Sequence, residues 1–195
     1  MTLRPAFKML RRFWKQECGT AAMETVVMFP FLFMGLTFSY EYFDMFRYQS
    51  VREKATYTVA DMLSRETAVV NEAYIDNVKV LFDMMTNDDG NNQVRVTVVR
   101  YHLDAANNVD EFELRWSEVR GSGDLNPLSA NDVRNAHATL PQMLDGQEII
   151  LVETSSQYDP VFSTGFTDGT NIKTRMFVPL RFAAQLCFEG VCTAA

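Results

Sequence analysis

Apolar residues change their period along this chain. Residues 25–40, TVVMFPFLFMGLTFSY, carry no charge, and counted from Thr20 the run is 21 residues long with Glu24 as its single interruption. As a helix rising 1.5 Å per residue it would measure about 31 Å, enough to cross the hydrocarbon core of a bilayer. Pro30 removes one helical hydrogen bond and predicts a kink, a defect that membrane helices tolerate when neighbours compensate. Tyr40, Tyr42 and Phe43 follow as an interfacial aromatic belt, and no small-residue cleavage site follows the run, so it reads as a retained anchor over residues 20–44. Beyond it the pattern becomes amphipathic. Tyr48, Val51, Ala55, Val59 and Met62 recur at three- and four-residue steps, while Arg47, Arg52, Glu53, Lys54, Asp61 and Arg65 take other faces. One helix over 20–64, about 65 Å long, is predicted, its outer half presenting a stripe to its own domain or, alternatively, to sister subunits.

A second helix places Tyr74, Val78, Leu81, Phe82 and Met85 on one face and ends in the polar stretch 87–92. That acidic stretch invites a calcium reading. Aligning Gly90 with the glycine of a calcium-binding loop puts Met85 and Val96 at ligand positions, however, so the segment reads as a turn. The period then falls to two. Val94, Val96 and Val98 alternate with Arg95 and Thr97, and Phe112, Leu114 and Trp116 alternate with Glu113 and Arg115, which predicts two strands joined by a loop over 105–110. Residues 121–127 are rich in breakers. Ser129 followed by Asp132 starts a short helix bearing Val133, Ala136 and Leu140, stopped by Pro141 and Gly146. Residues 148–158 contain Ile-Ile-Leu-Val, apolar on both faces as a central strand requires, and 175–188 supply a last strand. The predicted class is α+β: a long N-terminal transmembrane helix, then a small domain over 45–195 with an antiparallel sheet and short helices.

Charge sharpens this picture. The net charge is -7, but residues 1–19 carry Arg4, Lys8, Arg11, Arg12 and Lys15 against Glu17, a net of +4, which leaves -11 on the remainder. A basic flank on one side of the span predicts that the leader stays in the cytoplasm and the body faces outward. An acidic body argues against nucleic acid as a partner, because phosphate binding needs clustered Lys and Arg. Cys18 stands at the membrane boundary, whereas Cys187 and Cys192 are separated by Phe188-Glu189-Gly190-Val191, a spacing that suits a hairpin turn closed by a disulfide in an oxidising compartment. Two free thiols, or a metal half-site with nothing to complete it, are the alternatives.

His102 and His137 have no cysteine or carboxylate at metal-ligand spacing and read as structural or exposed. No phosphate-binding loop, dinucleotide fingerprint or Gly-x-Ser-x-Gly elbow occurs, and Ser122 is a residue of a flexible loop. No cofactor, metal or enzymatic activity is expected. Glu24 taken singly leaves two readings: an ionisable residue in the membrane that needs a partner, or a residue of the headgroup layer near the positive pole of a helix N-terminus.

The basic leader, Gly19, Thr20-Ala21-Ala22-Met23-Glu24 and the apolar run together resemble the processing site of type IV prepilins. Within that group the segment ECGTAAMETVVMFPFLF and the tail QLCFEGVC are most similar to the TadE and TadF minor pseudopilins of the tight-adherence (Flp pilus) system. Thr25 stands where Flp-type sites usually carry tyrosine, which fits a minor subunit better than the major pilin. The resemblance implies that prepilin peptidase cuts between Gly19 and Thr20, removing the leader. It implies that Glu24 then pairs with the new N-terminal amine of a neighbouring subunit and acts as an assembly register. The implied partners are the peptidase, other pseudopilins and pilins, and the pilus assembly platform in the bacterial inner membrane, with the C-terminal domain in the periplasm. An uncleaved, signal-anchored binding module of the envelope is the competing reading, and an envelope hydrolase the third.

Overall fold

The computed structural model describes residues 18–88, 91–107, 109–162 and 169–191. The expected leader falls outside them up to residue 17, and so does Cys192. The chain divides into two units, Met1–Asp44 and Met45–Ala195. Helix α1 spans Cys18–Ser64, and Pro30 lies inside it without ending it.

In the second unit α2 (Glu72–Thr86) starts where Asn71 Oδ1 accepts from the Tyr74 amide at 2.9 Å and ends at Asn87, which adopts the left-handed conformation with φ 50°. The strands are β1 (Asn92–Asp104), β2 (Val109–Arg120), β3 (Glu148–Gln157) and β4 (Asn171–Pro179). They form an antiparallel sheet in the order β2-β1-β3-β4. Between β2 and β3 lie α3 (Ala130–Arg134) and a 3-10 turn at Ala136–Ala138. The expected fold class is therefore present: a long apolar N-terminal helix and a small α+β sheet domain.

Each face of the sheet has its own core, as the apolar run of β3 requires. On the first face Ala55, Val59 and Leu63 of α1 and Ile75, Val78 and Phe82 of α2 pack against Val96, Val98, Trp116, Ile150 and Val152. On the second face Val99, Phe112 and Ile149 meet Val133 of α3. Fully burying one such aliphatic side chain contributes about 1.5–3 kcal/mol, so these two layers hold the domain together. The remainder of the second face is polar and strapped by the loop after β2. Gln93 exchanges two hydrogen bonds with the Leu125 main chain (2.6 and 2.7 Å), and Ser155 donates to Asp124 at 2.7 Å. Gly121 begins that loop at φ 92°, where an added Cβ would collide with the Asn92 carbonyl oxygen, so only glycine fits.

Four expectations are corrected by tertiary contacts. Phe112, Leu114 and Trp116 do not share a face. Val98 pairs with Trp116 and Val99 with Leu114, so Arg115 is the extra residue of a β-bulge, which sends Phe112 and Leu114 to the second core and Trp116 to the first. Arg52, expected on an outer face, has only 3% of its side chain exposed and pairs with Asp88 at 2.5 Å. The buried face of α2 centres on Ile75, Val78 and Phe82, and Met85 is exposed at its margin. The last strand begins at Asn171 and stops at Pro179, earlier at both ends than 175–188. Proline cannot donate to a ladder, and beyond it the chain leaves the sheet, with the Arg181 amide donating to the Ser64 carbonyl at 3.0 Å.

Candidate functional site: the uncovered apolar span and its carboxylate

Between Gly19 and Tyr40 the helix carries one charge, Glu24. Val26, Val27, Met28, Phe29, Phe31 and Leu32 are all exposed, and since consecutive helix positions are 100° apart, they surround the axis. The length and composition of α1 suffice to cross a membrane. Two of its hydroxyls are satisfied within the helix. Thr25 Oγ1 donates to the Ala21 carbonyl at 2.8 Å and Thr37 Oγ1 to that of Phe33 at 2.9 Å, which removes the cost of placing bare hydroxyls in hydrocarbon.

Gly19, Thr20 and Glu24 are exposed on this helix. Thr20 and Glu24 are four residues apart and lie one above the other on the same side. Among the described residues Glu24 has no hydrogen bond or ion pair. Among the described residues, a Cβ added at Gly19 would meet nothing within 4 Å, so packing there does not require glycine.

At the other end of the chain, Phe188 to Val191 form a tight turn. The Val191 amide donates to the Phe188 carbonyl at 3.1 Å, and Gly190 takes φ 81° at the third position, where a side chain would be strained. The turn is tied to the domain: the Val70 amide donates to the Cys187 carbonyl and the Glu189 amide to the Val70 carbonyl, both at 2.8 Å. Trp116 Nε1 donates to the Leu186 carbonyl at 2.8 Å beneath it. The Leu186 amide in turn donates to Glu148, whose carboxyl is pushed up by burial against the pull of Arg115.

Two charged clusters brace the sheet. Tyr48 stacks on the Arg52 guanidinium and donates to the Gln157 carbonyl at 2.6 Å; burial pushes its hydroxyl up to about 12. Glu153 of β3, 5% exposed, is clasped by Arg95 of β1 and Arg175 of β4.

The two histidines acquire acidic neighbours that their sequence spacing hides. His102 Nδ1 lies 3.3 Å from Asp145, and His137 Nε2 lies 3.2 Å from the Asp110 carbonyl and 3.7 Å from its carboxylate. Asp110 also accepts from the Tyr101 hydroxyl at 2.7 Å, a bond that holds the Tyr101 proton and pushes that hydroxyl up. Tyr101, Asp110, Phe112 and His137, with Leu140 to Met143, line a cleft of about 360 Å³ that sequence reasoning missed, because its walls come from β1, β2, the 3-10 turn and the loop after it. Among the described residues no group of three His, Cys, Asp or Glu side chains is set to hold a metal ion.

Among the described residues, fold and site thus define one membrane-competent helix and an α+β sheet domain. Comparison with protein-family models, with curated proteins and with solved structures gives no match.

Proposed function

We propose that the chain is a minor pseudopilin, an assembly subunit of a tight-adherence (Flp) pilus and not an enzyme. The observation that carries this reading is the stretch of α1 that is apolar around its whole circumference, uncovered, and charged only at Glu24. A helix of that kind is at home in lipid, where an ionisable group is costly and wants a partner. The basic leader orients it with the domain in the periplasm. Gly19, whose presence local packing does not require, supports a role in recognition by prepilin peptidase.

Cutting after Gly19 gives Thr20 a cationic amine about one helical turn from Glu24, and in assembly that amine faces the carboxylate of a neighbouring pilin or pseudopilin. Loss of the leader's +4 charge also frees the helix for extraction by the assembly platform of the inner membrane. N-terminal sequencing of the membrane-bound chain from peptidase-containing cells should read Thr20-Ala21-Ala22-Met23-Glu24. Recovery solely of chains that begin at Met1 would remove processing from the mechanism.

A disulfide between Cys187 and Cys192 would close over the turn from Phe188 to Val191, a short cysteine spacing that suits such a bridge in an oxidising compartment. Closing so short a loop contributes about 2 kcal/mol. Alkylation followed by mass spectrometry should label neither cysteine before reduction and both after it; double labelling without reductant would rule the bridge out.

A further inference from the structure

The cleft between Tyr101, Asp110, Phe112, His137 and Gln142 lies at the opposite end of the sheet from Tyr48. Tyr48 binds the last residue of β3, Gln157, whereas Arg100 pairs with the first, Glu148, and Tyr101 follows it. Its walls are fixed before any ligand arrives. The Tyr101 amide donates to the Gln147 carbonyl at 3.0 Å and the Gly146 amide to the Tyr101 carbonyl at 2.9 Å, pinning the loop after the 3-10 turn beside β1. The His137 ring packs 5.0 Å from Phe112, and Phe112 packs 5.0 Å from Tyr101.

The chemistry of the lining selects a ligand class. Phe112, Leu140, Pro141 and Met143 supply an apolar floor, while Asp110, Gln142, Tyr101 and His137 supply acceptors and donors around it. An anion would be repelled by Asp110. A cation would find a single carboxylate already holding the Tyr101 hydroxyl, with an imidazole 3.7 Å away, and no cage, because Phe112 is buried beneath its neighbours. A purely apolar ligand would strip water from Asp110 and Gln142 without replacing it. What remains is an uncharged ring with a C–H face and several hydroxyls, each both donor and acceptor. Since a carbonyl only accepts, the His137 Nε2 contact with the Asp110 carbonyl requires a proton on Nε2.

We infer that this cleft is a binding site for a neutral sugar, a pyranose unit of a glycan, seated on Pro141 and Met143 and hydrogen-bonded by Asp110 and Gln142. The site stands independently of leader processing. The test uses the full chain in lipid nanodiscs, avoiding sugar-based detergents, with cellobiose, N,N′-diacetylchitobiose and maltose as probes in saturation-transfer NMR. At least one disaccharide is expected to receive saturation on ring protons. Gln142→Ala and Asp110→Ala are each expected to weaken that binding about tenfold, the loss of one good hydrogen bond. Both side chains are solvent-accessible, and thermal unfolding of each variant reports whether the domain is intact; Gln142→Ala carries the test by itself should Asp110→Ala unfold. No transfer to any of the three sugars at about 10 mM would overturn the assignment. Transfer unchanged in folded Gln142→Ala would do so as well, and so would tetramethylammonium competing the sugar away.

Discussion

Replacing Glu24 by alanine is expected, on the pseudopilin reading proposed above, to leave the chain in the membrane and to block its assembly into fibres. Insertion should improve, because a carboxylate in or near hydrocarbon costs up to about 3 kcal/mol and alanine does not. Assembly should fail for the same electrostatic reason: without the carboxylate, the Thr20 amine of the adjacent subunit has no counter-charge where the dielectric is low. Losing about 2–3 kcal/mol per subunit contact corresponds to a drop of about 30- to 100-fold. The measurement is the fraction of chain recovered in sheared fibres against that in membranes. Glu24→Gln keeps the shape and separates charge from size. Equal recovery of wild type and Glu24→Ala in fibres would rule out Glu24 as the assembly register.

The largest stability loss is expected at Glu153. Arg95 Nε donates to one carboxylate oxygen at 2.7 Å and Arg175 Nε to the other at 2.8 Å, while Arg95 Nη1 reaches the Asn126 carbonyl at 2.6 Å. Arg175 is half-exposed and contributes little, since solvent screens it. Arg95 is buried, so Glu153→Ala strands a guanidinium between the sheet and the loop after β2. Breaking a buried pair from one side costs about 3–5 kcal/mol, a large share of the roughly 5–15 kcal/mol that holds a domain of this size folded. Urea unfolding followed by Trp116 fluorescence checks it. The double variant Arg95→Met, Glu153→Leu should recover most of the loss, because removing both charges leaves none uncompensated. A loss below about 1 kcal/mol in Glu153→Ala would mean that water reaches Arg95 and that the strap over this face opens.

Much of the molecule was legible because its signals are local. The charge-free run, the alternation in β1, the doubly apolar segment of β3, the Ser129–Asp132 capping pair and the turn around Gly190 are each written within a few consecutive residues. The capping pair illustrates both the strength and the limit of such signals. Asp132 accepts from the Ser129 amide at 2.8 Å as expected, yet α3 stops after five residues at Asn135, because only Val133 of that segment is buried and nothing holds a longer helix.

Sequence by itself determined which segment is fit for lipid, which strands are central and where the chain turns, since period, length and turn chemistry are properties of neighbouring residues. Only the tertiary structure decided that Arg115 bulges and divides β2 between two cores, that Arg52 turns inward to Asp88, that Glu153 is clasped by two arginines, and that His137 meets Asp110 across a cleft. Those outcomes depend on which groups distant in the chain must share one buried space. There, pairing and packing outweigh the local preference of any single residue.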